Sequence, residues 1–200
     1  ETQLYKLDIP GLYQIKNLQG VLSCLEILKK KGFIIENDAV LQALQNVKKL
    51  TGLMGRWQTL SEKPFVIADT GHNEDGIKEV LKNLERYTYK KLHIILGVVN
   101  DKDVTSILKL LPKTATYYFC KANIPRALPE KELFDLAKQH DLKGKKFSTV
   151  TDALTEAKKQ AKPTDLIFIG GSYRSILSEN IIKLSTFKNS DCNRSDHCKK

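Results

Sequence analysis

The sequence has little of several features that mark whole classes of protein. Its only methionine is Met54, so the chain begins without an initiator residue, and we expect it to be part of a longer protein. Its apolar runs fall far short of the ~20 residues that a membrane helix needs, and no signal peptide is visible. The four cysteines, at positions 24, 120, 192 and 198, are too scattered for a disulfide framework. These absences predict a cytoplasmic protein without a membrane partner.

What is present is an ordinary globular composition with a basic balance. Hydrophobic residues make up 41% and charged residues 28% of the 200 positions, which excludes wholesale disorder. The length predicts one complete domain, or one domain plus part of another. The 33 Lys and Arg against 23 Asp and Glu give a net charge of +10, which favours anionic partners. Because the lysines come mostly in short pairs beside acidic residues, we interpret them as a solvated surface and expect no nucleic-acid partner.

The first fifty residues carry the spacing of amphipathic helices. Apolar residues recur every three or four positions from residue 13 to residue 31, where Gly32 ends the pattern. A second helix is predicted to run from a cap at Asn37 or Asp38 to Val47, and a short extended segment at residues 4–9 precedes both helices. The sequence therefore predicts a mainly helical segment over residues 1–54.

Beyond Gly55 the pattern changes to short apolar strands that alternate with helices. The predicted strands are residues 65–68, 92–99, 115–120, 147–150 and 166–169, and the helices that follow them are 77–84, 104–111, 131–140, 153–161 and 173–184. This alternation is typical of an α/β domain with an open, doubly wound, mostly parallel sheet covered by helices on both faces. We place this Rossmann-like domain at residues 55–185 and a polar tail at residues 186–200.

Polar and glycine-rich runs follow three of the predicted strands. They are DTGHN at residues 69–73, GVVNDKD at residues 97–103 and GGSY at residues 170–173. Ligands bind at the carboxyl ends of the strands in open α/β sheets, where helix N-termini offer backbone N–H groups to anions. Each run alone has a plain structural interpretation, since Asp69 or Asn73 can cap a helix and two glycines can form a tight turn. Their joint placement after three strands favours a ligand-binding site at this edge of the sheet.

These runs resemble features of a known enzyme family. Gly55-Arg56, followed by a strand and then by DTGHN, is similar to the Gly-Arg … Asp-Gly-Ala-His-Asn-Pro signature of folylpolyglutamate synthase/dihydrofolate synthase, in the Mur ligase superfamily. The run GLYQIKN at residues 11–17 is similar to Gly-x-His-Gln-x-x-Asn, which starts a helix in that family's central ATPase domain. The runs DKD at 101–103, PRA at 125–127 and GSY at 171–173 match further features of its C-terminal domain in the same order.

The sequence also departs from the family pattern. Thr70-Gly71 replaces Gly-Ala, Glu74 replaces Pro, and Tyr13 stands where His is common. The family's phosphate-binding loop, its magnesium ligands and its carbamylated lysine have no counterpart here, since the run GKK at residues 144–146 lacks the hydroxyl and the glycine spacing. The resemblance therefore implies the end of the ATPase domain at residues 1–54, a complete C-terminal domain after it, and no metal ligand in this chain.

The resemblance implies an ATP- and Mg²⁺-dependent ligase of folate biosynthesis and one-carbon metabolism. In that reaction ATP phosphorylates a carboxylate of dihydropteroate or of a folate's glutamate tail, and the amino group of L-glutamate attacks the acyl phosphate. By the same resemblance Asn17 contacts adenine, Arg56 contacts the ATP phosphates, and Asp69 accepts from the ribose hydroxyls. His72 and Ser172 are the implied catalytic residues, facing the cleft between the domains. We expect this chain, without the remaining N-terminal part, to be inactive.

Two other interpretations stay open. One is a related ligase that joins an amino acid to a cell-wall precursor. The other is a non-catalytic, basic α/β module that binds nucleotides or nucleic acid, which would be retained on heparin or DNA in a strongly salt-dependent way. In the tail, Cys192, His197 and Cys198 suggest zinc, but three candidate ligands in a lysine-flanked segment favour an incidental grouping.

Overall fold

The computed structural model of the chain describes residues 3–100, 104–122 and 124–171. It divides into a first unit that ends at Gln58 and a second unit that begins at Thr59. In these residues we find no helix with the length and apolar character that crossing a membrane requires.

The first unit is helical, with α1 at Gln14–Lys30, α2 at Asn37–Gln45 and α3 at Val47–Thr51. The second predicted helix is split because the backbone of Asn46 leaves the helical conformation, at φ −130° and ψ 27°. The two carboxylate oxygens of Asp8 accept hydrogen bonds from the backbone N–H groups of Val47 and Lys48, at 3.0 and 2.9 Å. These bonds satisfy donors that the first turn of a helix leaves without an internal partner.

One local prediction for this unit is wrong. The cap expected at Asn37 or Asp38 is instead Glu36, whose side chain makes no cap hydrogen bond. Residues 4–9, predicted to be extended, belong to no helix or strand. The first turn of α3 is instead capped by Asp8, about forty residues before its partners.

The apolar side chains of α1 are poorly covered. Its only buried residue is Gln14, while Ile15, Val21 and Ile27 are 58%, 45% and 54% exposed. Exposed apolar groups of this size on one helix mark surface that a soluble protein usually covers with another part of itself or with a partner.

The second unit is built on one six-stranded sheet. The strand order is β1-β2-β6-β3-β4-β5, and the strands are β1 Gln58–Glu62, β2 Phe65–Asp69, β3 Leu92–Gly97, β4 Thr116–Cys120, β5 Gly144–Phe147 and β6 Leu166–Gly171. The pairs β2–β6, β6–β3, β3–β4 and β4–β5 are parallel. Only two residues join β1 to β2, and so short a connection makes that pair antiparallel. The open, mostly parallel sheet is therefore confirmed.

Helices cover both faces of this sheet. They are α4 Glu74–Leu84, α5 Val104–Leu110, α6 Glu130–Lys138 and α7 Val150–Gln160. The chain moves in one direction from β2 to β5 and then returns to β6, so right-handed crossovers place α7 on the face opposite α4, α5 and α6. Alternate residues of β4 show the two faces, since Phe119 contacts Phe134 of α6 while Tyr118 and Cys120 pack with α7. The doubly wound arrangement is confirmed.

The two strands at the sheet edges differ from the prediction. The apolar pattern does not predict β1, because its sequence, QTLSE, contains a single apolar residue. β5 covers Gly144–Phe147 rather than 147–150, and Val150 is instead the first residue of α7, behind a cap in which Thr149 accepts from the N–H of Asp152. Edge strands are commonly short and charged, so a search for apolar runs overlooks them. The predicted helix at 173–184 and the tail lie outside the described residues.

Candidate functional site

The loop after β2 lies at the carboxyl edge of the sheet and carries two of the predicted site residues. Asp69 ends β2 beside Gly170 of β6 and is buried, with 2% of its surface exposed. Its Oδ1 accepts a hydrogen bond from the backbone N–H of Gly71 at 2.8 Å. This bond, in which an aspartate side chain binds the backbone two residues further on, turns the chain directly after the strand. The carboxylate is therefore held in one orientation.

His72 is exposed in this loop, as is Asn73 after it. Its Nδ1 lies 2.9 Å from the carbonyl oxygen of Thr70. Because a carbonyl oxygen only accepts, the proton of the neutral ring belongs on Nδ1, and Nε2 is then an acceptor. The loop thus presents an imidazole of defined tautomer on a side chain that a substrate can reach.

The helix α4 begins directly after the loop, capped by Asn73. Its Oδ1 accepts from the N–H of Gly76 at 2.8 Å, and Glu74 and Asp75 occupy the first turn. The simple interpretation of Asn73 as a helix cap is confirmed. A cap and two carboxylates make this helix N-terminus a poor place for an anion. His72, rather than the helix end, is therefore the group that this loop offers to a substrate, and its Nε2 can accept an N–H or O–H proton.

The strands β6 and β3 end side by side at Gly171 and Gly97. Gly171 has φ +118°, and a Cβ built there would lie 1.9 Å from the carbonyl oxygen of Gly97. Only glycine fits at position 171. Gly171 is therefore required by the close approach of β3, in addition to its place in a turn. Ser172 follows immediately but lies outside the described residues, and its catalytic role stays a prediction.

The loops that follow β3 and β4 are hydrogen-bonded to each other at the same edge. The N–H of Asn100 donates to the carbonyl oxygen of Arg126 at 2.8 Å, and the N–H of Leu128 donates to that of Val98 at 3.0 Å. Part of the run GVVNDKD is therefore held against the run PRA. Nothing in the sequence spacing signals this link. The rest of the former run, residues 101–103, lies outside the described residues.

The only cysteine at this edge within the described residues is unsuited to nucleophilic chemistry. Cys120, the last residue of β4, is buried, and burial raises the pKa of its thiol to about 12, with a smaller contribution from Glu130. Its S–H group faces the carbonyl oxygen of Leu96 at 3.5 Å. A thiol with this pKa stays protonated at neutral pH. Over the same described ranges, no three His, Cys, Asp or Glu side chains are grouped so as to hold a metal ion.

Asn17 and Arg56 belong to the first unit. Asn17 is exposed in the first turn of α1, where its Nδ2 donates to Oε1 of Gln14 at 2.8 Å. Arg56 lies between Gly55 and Trp57, which have φ of 69° and 48°. A buried tryptophan in the left-handed region is uncommon, so the backbone around Arg56 is tightly specified. That these two residues share one nucleotide with Asp69 stays a prediction.

Comparison with known proteins matches most of the second unit to one family. The sequence profile of the Mur ligase, glutamate ligase domain matches residues 55–173. A probable bifunctional folylpolyglutamate synthase/dihydropteroate synthase of Haloferax volcanii is 28% identical over 175 residues, which cover 86% of this chain and 20% of that protein. A dihydrofolate synthase/folylpolyglutamate synthase of Escherichia coli is 24% identical over 156 residues, which cover 77% of this chain and 35% of that protein.

A solved structure gives the same result for the fold. The crystal structure of a bifunctional folylpolyglutamate synthase/dihydrofolate synthase with Mn, AMPPNP and L-glutamate bound matches 92% of this chain and 42% of that chain, with a TM-score of 0.70 and 24% identity. At this identity the likeness shows the fold alone. This chain spans less than half the length of each of these relatives.

Proposed function

The chain belongs to the Mur ligase family through its glutamate ligase domain, and on this premise we propose that it is the C-terminal part of an ATP-dependent ligase that adds L-glutamate to dihydropteroate, to folate, or to both. In this reaction ATP transfers its γ-phosphoryl group to a substrate carboxylate and leaves as ADP. The amino group of glutamate then attacks the acyl carbon, an amide bond forms, and inorganic phosphate leaves. The chemistry depends mainly on positioning and on charge neutralisation.

The observation that carries the proposal is the held imidazole of His72 at the carboxyl edge of a glutamate ligase domain. With Nδ1 bonded to Thr70, the neutral ring presents Nε2 as a proton acceptor. We place the amino group of glutamate against this atom, so that His72 takes the proton that the amine loses as the amide forms. Ser172 is proposed to contact the same reacting groups.

Three residues are proposed to contact the nucleotide. Asn17 contacts adenine, and Arg56 contacts the phosphates with a planar, permanently charged group that suits phosphate oxygens. Asp69 accepts from the ribose hydroxyls. Since Asp69 is only 2% exposed, this contact requires that the groups covering the carboxylate move when the nucleotide binds.

The rest of a longer protein is proposed to complete the enzyme. It supplies the phosphate-binding loop and the ligands of Mg²⁺, an ion that offsets the charge of the ATP phosphates when bound. It also covers the apolar side chains of α1, of which Ile15 and Ile27 are more than half exposed. The partners proposed for the complete enzyme are therefore ATP, L-glutamate and a pteroate or folate substrate.

An assay of ADP release by the longer protein tests the proposal. Dihydropteroate, folate and a cell-wall precursor are supplied in separate reactions, each with L-glutamate or with L-alanine. We expect release only with glutamate and a pteroate or folate substrate, and a loss of turnover of about 10²-fold or more in His72→Ala. His140→Ala, which removes a histidine just after the end of α6, is the matched control. Equal activities of the two variants would exclude His72 from the reaction, and release with only the cell-wall precursor would identify the other ligase class.

A further inference from the structure

A cavity of about 420 Å³ opens at the amino edge of the sheet in the second unit, opposite the edge that carries Asp69 and His72. Its wall lies where β3, β4, β5 and β6 begin, and it includes residues from the segments that lead into these strands. Sites for small molecules commonly have volumes of about 300–1,000 Å³, so this cavity has room for a compact ligand.

The charge that lines the cavity is strongly positive. Two carboxylates, Glu156 and Asp165, face five lysines, which leaves a net of three positive charges when the histidine on the wall is neutral. Of these lysines, only Lys145 forms an ion pair within the described residues, with Glu156 at 3.6 Å. The five are Lys90, Lys91, Lys143, Lys145 and Lys162.

Backbone hydrogen bonds fix the segments that carry these lysines. The N–H of Lys90 donates to the carbonyl oxygen of Thr164, and the carbonyl oxygens of Lys91 and Lys143 accept from the N–H groups of Leu166 and Tyr117 at the starts of neighbouring strands, at 2.9 to 3.0 Å. The N–H of Lys162 donates to the carboxylate of Asp165 at 2.8 Å. The backbone that carries these lysines is therefore fixed around the cavity, while the lysine side chains themselves are exposed and can turn toward a ligand.

A buried polar atom on the same wall lacks a hydrogen bond. His93 is 4% exposed, and its Nδ1 lies 3.0 Å from the hydroxyl of Tyr118. Its Nε2 has no hydrogen-bond partner within the described residues, since the carboxylate of Asp165 is 3.6 Å away. The nearby carboxylate favours the tautomer with the proton on Nε2, in which the Tyr118 hydroxyl donates to Nδ1. A buried donor without a hydrogen-bond partner is costly, so an acceptor that reaches it is favoured. Because Nε2 is buried, a ligand oxygen can accept from it only when the groups covering it move.

We propose that this cavity binds a small organic polyanion, whose carboxylate or phosphate groups pair with the lysines and accept a hydrogen bond from Nε2 of His93. The concave shape favours a compact ligand over nucleic acid, which needs an extended basic surface. The site uses none of the residues proposed for ATP or glutamate, so it provides a second ligand site on the domain and does not depend on the ligase assignment.

Calorimetric titration of the 200-residue chain with pyrophosphate, and separately with citrate, tests the site. NMR of the His93 ring gives a second readout, because a ligand oxygen at Nε2 shifts its resonances. Lys143→Ala/Lys162→Ala removes two charges from the cavity, while Lys109→Ala/Lys131→Ala removes two from exposed positions on α5 and α6 and is the matched control.

We expect saturable binding of at least one anion with a shift of the His93 resonances. The cavity variant should weaken binding about tenfold or more, and the control should change it less than about twofold. Preference for pyrophosphate would identify the ligand groups as phosphates, and preference for citrate would identify them as carboxylates. Absence of saturable binding, equal weakening by both double variants, or binding without a His93 shift would overturn the proposal.

Discussion

Replacement of Asp69 separates a structural role of this carboxylate from a role in nucleotide binding. Its Oδ1 accepts from the N–H of Gly71 at 2.8 Å in a buried position. Asp69→Ala removes this acceptor, so the N–H of Gly71 loses its hydrogen bond to the side chain. Asp69→Asn keeps an oxygen at the same place but loses the negative charge. The loop turn therefore survives in the asparagine variant, whereas a charged contact with a nucleotide is lost in both variants.

The structure sets the size of the two effects. A hydrogen bond to a charged group contributes about 1.5–3 kcal/mol, so Asp69→Ala should lower the free energy of unfolding by that amount. For a chain of this size the melting temperature falls by about 2–4 °C per kcal/mol, which gives a decrease of about 3–12 °C. Asp69→Asn should stay within about 1 kcal/mol of the parent. Urea unfolding followed by circular dichroism measures both, and Asp135→Asn, an exposed position on α6, controls for lost charge.

The nucleotide role is measured in the longer protein. Both variants should weaken the use of ATP by about 10- to 100-fold, since every 1.4 kcal/mol of lost interaction is a factor of ten. Unchanged ATP kinetics in a stably folded Asp69→Asn would refute the ribose contact. Unchanged stability in Asp69→Ala would refute the structural account of the loop.

Three further predictions follow from single contacts. Gly171→Ala should destabilise the second unit by more than about 2 kcal/mol, because its methyl group meets the carbonyl oxygen of Gly97. Gly20→Ala, in open space on α1, should instead stabilise the chain by about 0.5–1 kcal/mol. Urea denaturation measures both variants, and equal free energies of unfolding for the two would contradict the steric role of Gly171. His72→Ala should change the free energy of unfolding by less than about 0.5 kcal/mol while turnover falls, so a large loss of stability with normal turnover would make His72 structural. Burial lowers the pKa of His93, although Asp165 acts in the opposite direction. As the pH falls, this histidine is therefore protonated in the unfolded chain before it is protonated in the folded chain. Urea midpoints should therefore fall as the pH drops below about 6.5, and a fall of the same size in His93→Gln would exclude this histidine as the cause.

The strands that could be predicted are those with both faces buried. β2, β3, β4 and β6 lie inside the sheet and read as continuous apolar runs, so composition alone locates them. β1 and β5 are the edge strands, and their sequences, QTLSE and GKKF, have the polar residues that an edge tolerates. The break at Asn46 likewise depends on Asp8, a contact that no local pattern reveals.

The sequence predicts where the candidate site lies in the sheet, but not the hydrogen bonds that shape it. The run at residues 69–73 could be assigned to the carboxyl edge because it follows a clear strand. The hydrogen bond from His72 to Thr70 and the link between Asn100 and Arg126 depend on backbone geometry after folding. The sequence alone predicts that the lysine pairs form a solvated surface. Parallel strands that begin at one edge bring three of the lysine-bearing segments to a single cavity, which spacing along the chain does not show.

Glutamate-dependent ADP release is the most direct test of the central claim, that this chain is the glutamate ligase part of a folate-related enzyme. The longer protein, given ATP, Mg²⁺, glutamate and dihydropteroate or folate, should release ADP and form a product heavier by one glutamyl residue in mass spectrometry. The 200-residue chain alone should release none under the same conditions. ADP release by the longer protein that does not depend on glutamate, or robust glutamate-dependent release by this chain alone, would contradict the account.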